Sequence, residues 1–126
     1  MTENPNLAIQ ERFVAAVFAG DAETIHALCA PDFALHEGSG LPFAGTYRGA
    51  EGFLAFLGLF NETFDIHELA PVRTFTADDP DWLIGELNLR ATVRATGKPF
   101  ATSLLEMWQF RGGKVVAIKP HYFNAV

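Results

Sequence analysis

Two glutamates stand among apolar residues, where a carboxylate is costly. Glu106 lies inside the run Phe100 to Arg111, and strand alternation puts it on one face with Leu104, Trp108 and Phe110. The opposite face, Ser103, Leu105, Met107, Gln109 and Arg111, is more mixed. Glu37 ends the shorter run Phe33 to Glu37, on the side of Phe33 and Leu35. Apolar surroundings disfavour the charged carboxylate and raise its pKa, so such a group keeps a proton to donate. The competing reading is structural: Glu106 sits at the strand's open end, or meets Arg90 or Arg94.

Other chemistries lack their residues. His26, His36, His67 and His121 do not fall at metal-ligand spacings, and the neighbours in His36-Glu37 and His67-Glu68 point to opposite faces of predicted strands. No metal site is expected. No glycine-rich phosphate loop joins a strand to a helix, and no nucleophile motif with flanking glycines occurs. Nucleotide cofactors and acyl-enzyme chemistry are therefore not expected. The only cysteine, Cys29, falls on a predicted helix and reads as core; without a disulfide partner it points to a reducing cytoplasm.

The elements that hold these residues follow from hydrophobic periodicity. Leu7 to Ala19 carries Ile9, Phe13 and Val17 on one helical course and Leu7, Val14 and Phe18 on a neighbouring one, predicting a core-facing helix. Gly20 can end it, and Asp21 can cap a second helix, Asp21 to Cys29, which Pro31 stops. Gly38 to Gly45 reads by default as a simple loop, with a mobile rim formed by Gly38, Gly40 and Gly45 as the alternative, and a third helix runs from about Ala50 to Thr63. Phe53, Leu57, Phe60 and Phe64 follow its buried course, widened by Leu54 and Phe56. Ile66 to Thr76 is an irregular strand, disturbed at Pro71 as an edge or a bulge would be. Trp82 to Arg94 alternates, with Leu83, Leu87, Leu89, Ala91 and Val93 on one face. Turns at Thr96 to Pro99 and at Gly112-Gly113 lead into Phe100 to Arg111 and Lys114 to Phe123. Helices first and long antiparallel strands afterwards predict an α+β fold in one domain, residues 1–126, with a curved sheet on a helical layer.

Composition narrows the partners. With 126 residues, 49 % of them hydrophobic and 12 of them Phe, the chain can bury a core and still line an apolar cavity or an oligomer face. A net charge of −6 without a Lys or Arg cluster argues against nucleic acid and anionic membranes. Met1 to Asn6 lacks the basic-then-apolar order of a signal peptide, and no apolar run reaches membrane length. A cytoplasmic location without membrane association is expected.

The order of elements and several local marks resemble the superfamily of nuclear transport factor 2, the ketosteroid isomerases and the SnoaL-like polyketide cyclases. The marks are Gln10-Glu11-Arg12-Phe13-Val14-Ala15-Ala16 before Gly20-Asp21, then Ala30-Pro31-Asp32-Phe33, then Gly45-Thr46-Tyr47-Arg48-Gly49 opening the third helix, and the hairpin Glu106 to Val116. The resemblance covers nearly the whole chain. It implies a cone-shaped, strongly curved, mostly antiparallel sheet packed on three N-terminal helices, a ligand pocket in the cone, and a homodimer through the outer sheet face. In ketosteroid isomerase an Asp general base works with an oxyanion hole made of a Tyr and a protonated Asp. The base's place falls on Glu37, the protonated acid's on Glu106, and the tyrosine's on Phe13. Losing one oxyanion donor typically costs about 100- to 1,000-fold in rate, so the steroid isomerase reaction itself is not expected. Tyr122, at a pocket-lining place, can hydrogen-bond a substrate oxygen or Glu106, or can be a core tyrosine with a wet tip; Tyr47 is another candidate. Trp108 can stack on a flat ligand or fill the cone. In Lys119-Pro120-His121-Tyr122-Phe123, His121 has the parity of the dimer face or solvent.

The expectation is a small cofactor-independent enzyme that abstracts a proton next to the carbonyl of an apolar or cyclic ligand, as isomerases, cyclases and dehydratases do. Glu37, Glu106 and Tyr122 are its candidate catalytic groups. Phe13, Val17, Leu35, Tyr47 and Phe53 are candidate lining residues, with Leu57, Phe60, Leu104, Trp108 and Ile118. Two other readings stand: a noncatalytic ligand-binding or protein-interaction module, and a hydrolase activating water with Glu37. An enclosed pocket holding both carboxylates favours an enzyme, and a cone filled by Phe and Trp favours the interaction module.

Overall fold

The computed structural model describes residues 4–126; the first three residues of the polar N-terminal stretch lie outside the described residues. Helix α1, Pro5–Ala19, is capped by Asn4, whose side chain accepts from Asn6 N at 2.9 Å, with Pro5 at its start. Gly20, at φ 68, ends it. Asp21 then caps α2, Ala22–Leu28, by accepting from Thr24 N at 3.1 Å. The helix-Gly-Asp-helix corner thus forms where those residue types predict it.

The next boundary differs from the prediction. Strand β1 spans Cys29–Glu37, so Cys29 opens a strand rather than closing a helix. Pro31 forces Ala30 toward extended backbone, which ends the helix early. Strand β2, Gly45–Arg48, leads into α3, Gly49–Thr63. Then come β3, Phe64–Thr76, β4, Trp82–Val93, β5, Pro99–Arg111, and β6, Lys114–Tyr122. Phe64, read as the helix's last apolar turn, starts β3 instead.

The six strands form one curved, unclosed sheet in the order β2-β1-β6-β5-β4-β3. Every neighbouring pair is antiparallel except β1 with β6. The irregular strand is indeed the edge, and its register shifts between Ile66 and Glu68 and between Pro71 and Arg73. Three helices cover the concave face. The fold is thus an α+β cone, with alternation sending Leu83, Leu87 and Leu89 of β4 and Leu104, Trp108 and Phe110 of β5 into the core. Among the described residues no helix is long and apolar enough to cross a membrane.

Helix α1 packs its predicted stripe against the core, but its most buried course lies beside that stripe. It buries Asn6, Gln10, Phe13 and Ala16, leaving Ile9 and Val17 half-buried. The two buried amides are bonded: Asn6 Nδ2 donates to Pro80 O at 2.9 Å, and Gln10 Oε1 accepts from Thr74 Oγ1 at 3.1 Å. These bonds dock α1 onto the hairpin of β3 and β4.

Candidate active site

Register brings the two glutamates together. Glu106 pairs with Pro120 on β6 and with Gly85 on β4. Leu35 pairs with Ile118, and continuing that parallel register by two residues sets Glu37 beside Pro120. Glu37 also pairs with Gly45, and Gly85 with Thr74. One row across the sheet therefore reads Gly45, Glu37, Pro120, Glu106, Gly85, Thr74. The carboxylates flank Pro120 two strand spacings apart, roughly 9–10 Å at Cα. Their neighbours carry no side chain or a short one, which keeps the space above the row open.

That space is a cavity between the row, α1 and α3, with about 680 Å³ empty, its open mouth included. Glu37, Glu106 and Tyr122 all line it, and the rest of its wall is almost wholly apolar. Of the predicted lining, Phe13, Val17, Leu35, Phe53 and Leu57 face it, as do Phe60, Leu104, Trp108 and Ile118. Phe13 packs edge-on against Phe53 at 5.1 Å and Trp108 at 5.2 Å, so these rings fill part of the cone.

The structural reading of Glu106 loses its partners. Arg94 donates to Asn61 O at 2.9 Å and lies 4.0 Å from Asp65, while Arg90 is exposed on the other face of β4. No ion pair among the described residues includes Glu37 or Glu106. Glu37 is 6 % exposed, and its Oε1 is buried without a hydrogen-bond partner. Burial, and then the charge of Glu106, pushes its pKa from 4.5 up to about 8. Burial pushes Glu106 from 4.5 up to about 7, opposed by the nearby Trp108 side chain. The Trp108 indole N–H favours the Glu106 charge by proximity but has no hydrogen-bond partner of its own. Both carboxyl groups are therefore held toward the neutral form near neutral pH, Glu37 more strongly than Glu106. The Tyr122 hydroxyl is also pushed up, by burial first and by both glutamates next, so it stays protonated and able to donate.

Several expectations are corrected. Tyr47 does not line the cavity: its hydroxyl donates to Phe43 O at 2.7 Å and its ring packs on Phe56. Gly38, Gly40 and Gly45 do not line it either, because Phe43, 1 % exposed, pins their loop between Phe56, Phe60 and Tyr122. The Cys29 thiol is held up at about 11 by burial, which keeps it unreactive. His121 is exposed, as its parity predicts. Among the described residues no cluster of three or more His, Cys, Asp or Glu side chains could hold a metal ion. Sequence reasoning missed Phe56, Leu69, Leu87 and Pro120 as lining, and Val14 and Phe18 at the mouth. Leu87 was legible from its parity in β4, whereas Pro120 carries no residue-type signal for a cavity.

Known proteins share this architecture. A sequence model of the SnoaL-like domain matches residues 10–118. The chain superposes on an NTF2-like protein from Burkholderia xenovorans with a TM-score of 0.84 at 24% identity, covering 97% of this chain and 92% of that one. A SnoaL-like polyketide cyclase from Jannaschia gives 0.78 at 14% identity over 96% and 87% of the two chains. A protein of ketosteroid isomerase-like fold from Catenulispora acidiphila, in complex with trimethylamine, gives 0.71 at 16% identity over 90% and 84%. No curated protein matches the sequence. The match over most of the chain and the shared cone lead to one assignment: this protein belongs to the SnoaL-like domain family, with the NTF2-like fold.

Proposed function

We propose that the protein is a cofactor-independent enzyme that moves a proton next to the carbonyl of a small, uncharged, cyclic or otherwise apolar substrate. One observation carries this reading: two carboxyl groups, outside every ion pair among the described residues, flank Pro120 and line one apolar cavity. The wall contains no Lys, Arg or His, which disfavours anionic substrates. Glu37 is the base and Glu106, when protonated, the hydrogen-bond donor to the enolate oxygen, with Tyr122 as a second donor. Of the two, Glu37 holds its proton more tightly. A carbonyl oxygen seated beside Glu106 stabilises that carboxyl in its neutral form, which removes the like charge that disfavours ionised Glu37 and so eases its turn as base. Isomerisation, aldol cyclisation and dehydration share this step, and the cytoplasm is its proposed setting.

The reading is tested by following hydrogen-for-deuterium exchange in cyclic ketones by proton NMR in heavy water. Exchange above background that falls about 100- to 10,000-fold in Glu37→Gln supports a general base there. Exchange that survives the substitution unchanged would falsify the assignment. A second reading, noncatalytic binding of a small amine, has its own support in the unpaired carboxylates among aromatic rings, and the Catenulispora acidiphila neighbour is in complex with trimethylamine. Amine binding without ketone exchange would favour it.

A further inference from the structure

Trp108 carries a buried donor without a partner. The residue is 2 % exposed, and its indole Nε1 makes no hydrogen bond. A buried N–H left unpaired is unfavourable, so a mobile acceptor beside it is drawn to it. Strand register places that acceptor. Trp108 pairs with Leu83 and Glu106 with Gly85, so Gly85 lies directly across from Glu106 and diagonally from Trp108. Gly85 has no side chain, and Trp108 Nε1 lies 3.6 Å from where its Cβ would stand. The indole nitrogen is thus at the level of Glu106 in the sheet. The Glu106 carboxyl, on the same face two residues before Trp108, is the acceptor beside it, and its charged form is favoured by this N–H.

A neutral carboxyl group has one donating O–H and one accepting carbonyl oxygen. A fixed N–H on the accepting oxygen decides which way the group turns. We infer that the Trp108 indole N–H orients Glu106, binding one carboxyl oxygen so that the other faces the cavity. In the neutral acid the O–H is then aimed at a substrate carbonyl, a role that rests on the enolisation reading. Donating to an enolate leaves added negative charge on the carboxyl, which the N–H meets with a stronger bond. Trp108 also packs against Phe13 and Phe110, at ring distances of 5.2 and 6.2 Å, and a phenylalanine keeps part of that packing without the donor.

Other titratable groups face the same carboxyl. Glu37 on β1 and Tyr122 on β6 share the main cavity with it, while α3 brings only apolar side chains to that wall. A second cavity, between α1 and the hairpin of β3 and β4, also reaches Glu106 and is lined by Glu11, Arg73 and Glu86. Arg73 and Glu86 are paired at 2.9 Å.

Proton-nitrogen NMR of the whole chain against pH reads the indole directly. Trp108→Phe identifies its peak, and Trp82, on the outer face of β4, is the control. The Trp108 indole proton should move downfield as Glu106 ionises, with the midpoint of the Glu106 carboxyl carbon, while Trp82 stays still. Glu106→Gln should abolish the movement and Glu37→Gln should leave it in place. Trp108→Phe should raise the Glu106 midpoint by about one pH unit. An indole proton that stays still through the Glu106 titration, or that follows Glu37 instead, overturns the orienting role. So does a Glu106 midpoint unmoved in a folded Trp108→Phe chain. If that variant does not fold, Trp82→Phe identifies the peaks, and the indole titration in the natural chain and in Glu106→Gln decides. Ketone exchange is read separately, and where it occurs Trp108→Phe should slow it about tenfold and shift its pH profile with the Glu106 midpoint. A natural chain that exchanges no ketone proton counts against enolisation and leaves the indole result standing; exchange beside a still indole does the reverse.

Discussion

Burial, helped at Glu37 by the Glu106 charge, pushes the Glu37 pKa up to about 8 and that of Glu106 up to about 7, against 4.5 for each in water, so both tie the stability of the chain to pH. Folding raises these pKa values, and the folded state therefore binds more protons than the unfolded one between the two ranges. The contribution is fully present below the unfolded value and is lost as pH rises through the folded ones. Thermal unfolding should show a midpoint that falls from about pH 5 to pH 8, by an amount worth a few kcal/mol at about 1.4 kcal/mol per unit. Glu37→Gln should match the natural chain at pH 5 and exceed it at pH 8; curves that stay parallel across the range would mean that Glu37 titrates normally. Strand alternation alone made both carboxyl groups legible, because a period of two sorts side chains without knowledge of partners. It could not say that Arg94 is occupied with Asn61 and Asp65, since those contacts join distant segments.

Helix α1 sets the floor of the cavity through Phe13, so its orientation matters as much as its presence. Apolar periodicity located the helix and its cavity-facing side, through Phe13, Val14 and Val17, but not the fully buried polar course beside it. The buried course starts with Asn6 and Gln10, whose partners Pro80 and Thr74 lie in the hairpin of β3 and β4 and leave no trace near the helix. The same limit explains Tyr47 and the glycine loop, where a contact to Phe43 decides the placement. Removing the Asn6 amide leaves Pro80 O with a single side-chain bond from Asn4, at 3.1 Å. Asn6→Ala is expected to cost about 1–2 kcal/mol in urea unfolding. It should also broaden the Gln10 side-chain NMR signal as α1 loosens. A change below about 0.5 kcal/mol would mean that apolar packing alone fixes the helix, as most surface substitutions would allow.

The outer face of the sheet carries apolar side chains that a lone chain does not need. Phe75, Ile84 and Met107 form a row there by register, with Trp82 and Leu105 beside them, and Phe75 and Leu105 are 46% and 44% exposed. A contiguous apolar patch on a sheet face marks an interaction surface. We propose that a second copy covers it, leaving the cavity, on the opposite face of the same strands, free in each protomer. Sedimentation should then give twice the 13.8 kDa of the chain. Leu105→Glu should give monomers, since a carboxylate placed in the centre of such a contact is desolvated without a partner. The exposed position of Leu105 lets each monomer stay folded. Glu106 is its chain neighbour but faces the other way, so its raised titration should persist in the monomer if the two faces are independent. A natural chain that sediments as a monomer at micromolar concentration would remove the dimer. A lost Glu106 shift in the Leu105→Glu monomer would instead mean that dimerisation helps to keep the cavity dry.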